Sequence, residues 1–155
     1  MCIRDRMNTT ESRARYEIEM EEYVLRLQIE SRVLGDVARN HVVPTGVTYQ
    51  NRLIQNVTGL KAIYGDKYET LAGEALNLIE AISGHIESIN GMVSQMIEAR
   101  KKANTIKEAS RRAVEYTNKV KPFLSEIRYH CDKLELLVDD ALWPLTKYRE
   151  LLFTT

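Results

Sequence analysis

Apolar positions recur at helical spacing along almost the whole chain. Between residues 10 and 43 they fall at Tyr16, Met20, Tyr23, Leu27, Leu34, Val37 and Val42, with His41 continuing the stripe. Steps of three, four and seven keep most of these on one face of a helix. Thr10 or Ser12 suits the cap, and Glu11 and Glu17 favour the positive end of the helix dipole. Glu22 and Arg26 form an i,i+4 pair. Pro44 lacks an amide donor and restricts Val43, so a stop or kink is expected there, with Thr45 and Gly46 in a short break. A second helical stretch buries Val47, Leu53, Ile54, Val57, Leu60 and Ile63, and Gly65-Asp66 signals a turn after it.

The third stretch is the most regular. Tyr68, Leu71, Ala75, Leu78, Ile82, His85, Ile89, Met92 and Met96 alternate steps of three and four, a heptad seam. Gly84, Ser88, Gly91 and Gln95 form another stripe, read first as an exposed face and second as a place for close approach by another backbone. Arg100, Lys101, Lys102, Lys107, Arg111 and Arg112 surround a break at Asn104-Thr105 and suit a helix C-terminus followed by a new helix. The fourth seam is Ile106, Ala109, Ala113, Tyr116, Val120, Phe123 or Leu124, Ile127, Cys131, Leu134 and Val138. Pro122 should kink or divide it, and Trp143-Pro144 should end it. No alternating strand pattern competes. These patterns predict an all-α fold: an elongated antiparallel bundle of three to four long helices, at about residues 12–43, 47–64, 67–103 and 106–142. In one variant the first two helices run as a single kinked rod.

Composition narrows the function classes. The 155 residues suit one domain, and 22 Lys+Arg balance 22 Asp+Glu, so no bulk charge drives the chain toward nucleic acid or an anionic membrane. The basic stretch has no interleaved aromatics and is diluted by Glu98, Glu108 and Glu115. No apolar run is long enough to span a membrane. Two cysteines, Cys2 and Cys131, imply no disulfide framework and fit a reducing cytoplasm. Residues 1–6, Met1-Cys-Ile-Arg-Asp-Arg6, look like a translated sequencing adapter and are set aside from fold reasoning. The expected division is a non-native or disordered leader at 1–11, the bundle at 12–142 and a docking tail at 143–155. If the leader is foreign, the natural protein is expected to continue upstream.

The tail carries Trp143, Leu145, Tyr148, Leu151, Leu152 and Phe153. So many apolar side chains at a terminus form a patch too large to leave exposed. They are the candidate docking residues, expected to fold back on the bundle or, by preference, to seat on another domain or subunit. Catalytic signals are weak. Neither GxxxxGK[ST] nor GxGxxG occurs. None of His41, His85 and His130 has a Glu three residues before it; Glu126 and His130 share a face but make only two ligands. Cys131 between His130 and Asp132 is no triad, because helix neighbours point about 100° apart; a small core residue is the expected role. Asp139 and Asp140, also read as helix neighbours, mark a solvated or interface end. No catalytic, cofactor-binding or metal residue is assigned.

Several segments resemble a known family. They are Tyr16-Glu-Ile-Glu-Met-Glu-Glu-Tyr23, Gln28-Ile-Glu-Ser-Arg-Val-Leu-Gly-Asp36, Asn40-His-Val-Val-Pro-Thr45, Tyr49-Gln-Asn-Arg-Leu53, Ile97-Glu-Ala-Arg-Lys-Lys-Ala-Asn104, Val120-Lys-Pro-Phe123, Ile127-Arg-Tyr-His-Cys-Asp-Lys-Leu-Glu135 and Leu142-Trp-Pro-Leu-Thr-Lys-Tyr-Arg-Glu-Leu-Leu-Phe153. In this order they resemble the C-terminal helical region of type III glutamine synthetases, though that family usually has proline where Thr146 stands. The resemblance implies a bacterial, cytoplasmic parent enzyme of nitrogen metabolism, an ATP-dependent glutamate–ammonia ligase using magnesium or manganese. It places those sites in an upstream catalytic domain, so the chain by itself is expected to be inactive. The implied partners are that domain of the same chain and neighbouring subunits of a homo-oligomer. The alternative reading is a free-standing helical-bundle adaptor; a small bundle metalloenzyme ranks behind both.

Overall fold

The computed structural model describes residues 9–147, and among these the fold is all-α, with no strand. Helix α1 spans Thr9–Val37, α2 Val43–Tyr64, α3 Tyr68–Asn104, α4 Ala109–Glu115 and α5 Lys121–Leu137. The expected count of three to four separate long helices is corrected, because helices are joined end to end. A π turn at Ala38–Val42 carries α1 into α2, and another at Tyr116–Val120 carries α4 into α5. The break expected at Pro44 and Gly46 is therefore absent.

Both joints share one cause. A proline inside a helix lacks its N–H, and its ring clashes with the carbonyl four residues back. In each joint the π turn ends two residues before the proline, ahead of Pro44 in one and Pro122 in the other. The widened turn lets the Val43 N–H reach the Ala38 carbonyl and the Lys121 N–H reach the Tyr116 carbonyl, five residues back. The added residue shifts the carbonyl register, and the rod continues.

Two true reversals build the bundle. At the first, Gly65 has φ 56°, a left-handed conformation that a side chain would resist, and a short 3-10 turn at Gly65–Lys67 leads into α3. At the second, the Thr105 and Ile106 N–H groups bond back to the Lys102 and Ala103 carbonyls, and extended Glu108 precedes α4. Pairings confirm that α3 runs antiparallel to the α1–α2 rod. Gln28 meets Asn104, Arg39 meets Asn90, and Gln50 meets the Ile79 carbonyl. The α4–α5 rod lies across both and runs parallel to α1, with Tyr23 against Thr117 and Glu30 near Arg128.

The core lies where all these rods meet. Ile82, Ile89, Val93 and Met96 of α3 are buried with Val24, Leu27, Val42, Tyr116, Val120, Ile127 and Leu134. The stripe at Gly84, Gly91 and Gln95 is exposed, as first read, and a Cβ at either glycine would meet nothing within 4 Å. The glycines packed tightly, against side chains of α3, are Gly35 and Gly46. A Cβ on Gly46 would lie 3.2 Å from Ile86 Cδ1, and one on Gly35 would lie 3.4 Å from Val93 Cγ1.

Helix α5 ends at Leu137, five residues before the expected stop. Val138 is extended and buried, and the chain then turns at Asp139 and Asp140. Asp139 Oδ1 accepts the Ala141 N–H at 3.0 Å, and the carbonyls of Asp139 and Asp140 accept the N–H groups of Leu142 and Trp143. These aspartates thus form a turn rather than a helix end, because a short acceptor side chain competes with helical bonding.

Candidate docking site

Two of the segments that carried the family resemblance, those from Gln28 to Asp36 and from Ile97 to Asn104, meet at one end of the bundle. Asn104 Oδ1 accepts the Gln28 amide at 2.8 Å and the Tyr116 hydroxyl at 2.6 Å, tying α1, the α3 terminus and the second π turn together. Ser31 is buried, donates to the Gln28 carbonyl at 3.0 Å and receives Arg100 at 3.4 Å. The basic stretch is largely engaged locally: Arg112 bonds the Lys107 carbonyl, and Lys101 pairs with Glu98. These motifs specify packing.

Between the outer part of α1 and α4 lies an open groove of about 610 Å³, lined by Tyr16, Met20, Tyr23, Ile106, Val114 and Arg111. A second apolar feature escaped the sequence reading. Ile18, Leu25, Ile29 and Val33 are all exposed on α1. Their spacing of seven, four and four puts them on one outward stripe. The reading followed the stripe through Tyr16, Met20, Tyr23 and Leu27, which packs inward from Met20 onward while Tyr16 is exposed; the same spacing test applied at Ile18 finds the other.

The structure brings together two histidines that the sequence kept apart. His85 of α3 and His130 of α5 face each other with Nδ1 atoms 2.8 Å apart, so one ring donates and the other accepts. Tyr129 packs edge-on to His130, and Lys133 lies over the Tyr129 ring. Partial burial, then His130, then Lys133 depress the His85 pKa below its ordinary value, favouring the neutral ring. Burial first and Asp132 second push the Cys131 thiol up to about 11, which keeps it protonated and unreactive. Cys131 packs against the core. Among the described residues, no three His, Cys, Asp or Glu side chains are gathered to hold a metal ion. The two imidazoles share a hydrogen bond between their Nδ1 atoms.

Of the candidate docking residues, Trp143 is half-buried and packs against the core, while Leu145 is 42% exposed. Lys147 is buried; its ammonium donates to the Glu135 carbonyl at 3.0 Å, pairs with Asp140 and lies over the Trp143 ring. The segment at 143–147 therefore returns along the end of α5. Tyr148, Leu151, Leu152 and Phe153 lie outside the described residues. No helix among the described residues is long and apolar enough to cross a membrane.

Residues 4–61 match the family model described as the glutamine synthetase C-terminal domain. The match begins inside the six residues set aside as a leader and ends within α2. The chain is 47% identical over 148 residues to a glutamine synthetase of Bacteroides fragilis (strain YCH46), covering 95% of this chain and 20% of that protein. It is 24% identical over 150 residues to a type-3 glutamine synthetase of Dictyostelium discoideum, and 25% identical over 141 residues to a glutamine synthetase of Butyrivibrio fibrisolvens. The chain spans about a fifth of the length of these relatives. The resemblance to the C-terminal region of glutamine synthetases is borne out.

Proposed function

We propose that this chain is the C-terminal helical region of a bacterial cytoplasmic glutamine synthetase, an ATP-dependent ligase joining glutamate and ammonia, and that it acts there as a scaffold. The Bacteroides relative carries this reading, since 47% identity holds along 95% of the chain yet occupies only 20% of that protein. ATP and magnesium or manganese belong to the parent's remaining parts. The helical region packs on the catalytic domain and contributes to the surface of a homo-oligomer. Its outward α1 stripe of Ile18, Leu25, Ile29 and Val33 supports this role, because a stripe apolar on the solvent side gains by being covered. The chain alone has no ligase activity.

The test is a replacement. This chain is substituted for the matching fifth of the Bacteroides fragilis enzyme, and glutamine formation and oligomer size are measured. Retention of both supports the proposal. Placing Asp at Leu25 and Ile29 of the hybrid should disperse the oligomer or lower its melting temperature. A hybrid that folds but neither assembles nor turns over contradicts the scaffold reading.

A further inference from the structure

Three arginines border an open pocket of about 240 Å³ between the α1–α2 rod and α3. Arg32 on α1 and Arg39 in the first π turn stand two helical turns apart, and Arg100 reaches over from α3. Ser31, wholly buried, lies on the same lining. Its hydroxyl spends its proton on the Gln28 carbonyl, so it meets Arg100 as an acceptor.

Among the described residues, none of the three arginines has an ion-pair partner. Asp36 is the one carboxylate on the described lining, and the Asn40 amide bonds it. Three guanidinium groups against one carboxylate leave two positive charges facing the pocket. Two of the three are anchored. Arg39 Nη2 donates to the Asn90 carbonyl at 3.1 Å and to the Ser94 hydroxyl, and Arg100 Nη1 donates to Ser31 at 3.4 Å. A guanidinium carries five N–H donors, so these anchors leave most of them open. Arg32 is exposed and makes no side-chain hydrogen bond among the described residues.

A planar guanidinium fork matches the paired oxygens of an oxyanion, and donors already held in place lose little freedom on binding. A phosphate group brings close to two negative charges and three acceptor oxygens. A carboxylate brings one charge and would leave the other unmatched. We propose that this pocket binds a phosphate group, free or at the end of a small ester. Arg32 and Arg100 grip its oxygens, and Arg39 closes the far end. The site goes beyond the scaffold role and does not depend on the parent's ligase activity.

The test is isothermal titration calorimetry of the full 155-residue chain with inorganic phosphate at low ionic strength, repeated with glycerol 3-phosphate and with acetate. Phosphate should bind saturably, one per chain. Arg100→Gln and Arg32→Gln should each weaken it at least about tenfold. Arg32 is exposed and unpartnered, so its variant should melt with the natural chain and separates lost binding from lost folding. Arg32→Lys should recover only part of the loss, because an ammonium lacks the fork. Arg111→Gln removes the same charge from α4, outside this pocket, and should leave the affinity within about twofold. Tighter binding of glycerol 3-phosphate assigns the site to an ester, and tighter binding of inorganic phosphate assigns it to the free ion; either supports the proposal. Absence of saturation, acetate binding as tightly as phosphate, or an equal loss in Arg111→Gln overturns it.

Discussion

The two halves of α3 carry one heptad pattern and meet different fates. From Ile82 onward the seam is enclosed by α1, α2 and α5, and Ile82, Ile89 and Met96 are fully buried. Before Ile82 the same spacing runs out along an arm where α2 is the neighbour, and Leu71 is exposed while Ala75 and Leu78 are only half-buried. Periodicity says which face of a helix is apolar. Burial depends on how far the neighbouring helices extend, and α5 is too short to cover the whole seam.

The largest expected effect comes from breaking the enclosed half. Ile82→Asp puts an unpaired charge among fully buried side chains and should cost about 4 kcal/mol in urea denaturation. Leu78→Asp, on the same seam, should cost only about 1–2 kcal/mol, because Leu78 is half-buried and its charge retains water. Equal losses at the two positions would erase the contrast between the halves.

The polar end of the enclosed half gives the next effect. Tyr116→Phe removes a buried hydroxyl bonded to Asn104, leaving Gln28 as the amide partner. It should cost about 1 kcal/mol by the same denaturation assay. Glycines sharpen the contrast further. Gly91→Ala meets open space and should raise stability by about 0.5–1 kcal/mol through helix propensity alone. Gly46→Ala should gain less, because its Cβ must push the Ile86 tip aside.

The histidine pair sits where the covered seam gives way to the bare one, and its expected effect is the smallest. The His85 pKa is depressed from 6.5, so the native state favours the neutral ring. Its contribution is present above the unfolded value near 6.5 and is lost as pH falls through the lower folded value. Melting temperature should therefore drop below pH 6.5 more steeply in the natural chain than in His85→Gln. Identical pH profiles would show that the pair does not couple to folding.

How much of this was legible in the sequence follows from range. Helices, faces and reversals rest on contacts within a few residues, so the turns at Gly65 and Asn104 were readable from their residue types. Pro44 misled because a proline's local effect is to break a helix, while the π turn that absorbs it needs no special residue. The Asp139-Asp140 turn was missed because periodicity continues through Val138 into a helix that has already stopped. The His85–His130 contact spans forty-five residues and depends on the register between α3 and α5, which no local pattern encodes. The candidate docking residues were recognisable as apolar, but the packing of Trp143 against the core depends on where α5 ends. The outward α1 stripe was present in the spacing and was overshadowed by the inward one.

Native-state hydrogen exchange along α3, in the chain ended at Lys147, tests the contrast most directly. Amides at residues 82–96 should exchange only through global unfolding, and those at 68–78 at least about 100-fold faster through local opening of the arm. Uniform protection from one end of α3 to the other would contradict the account.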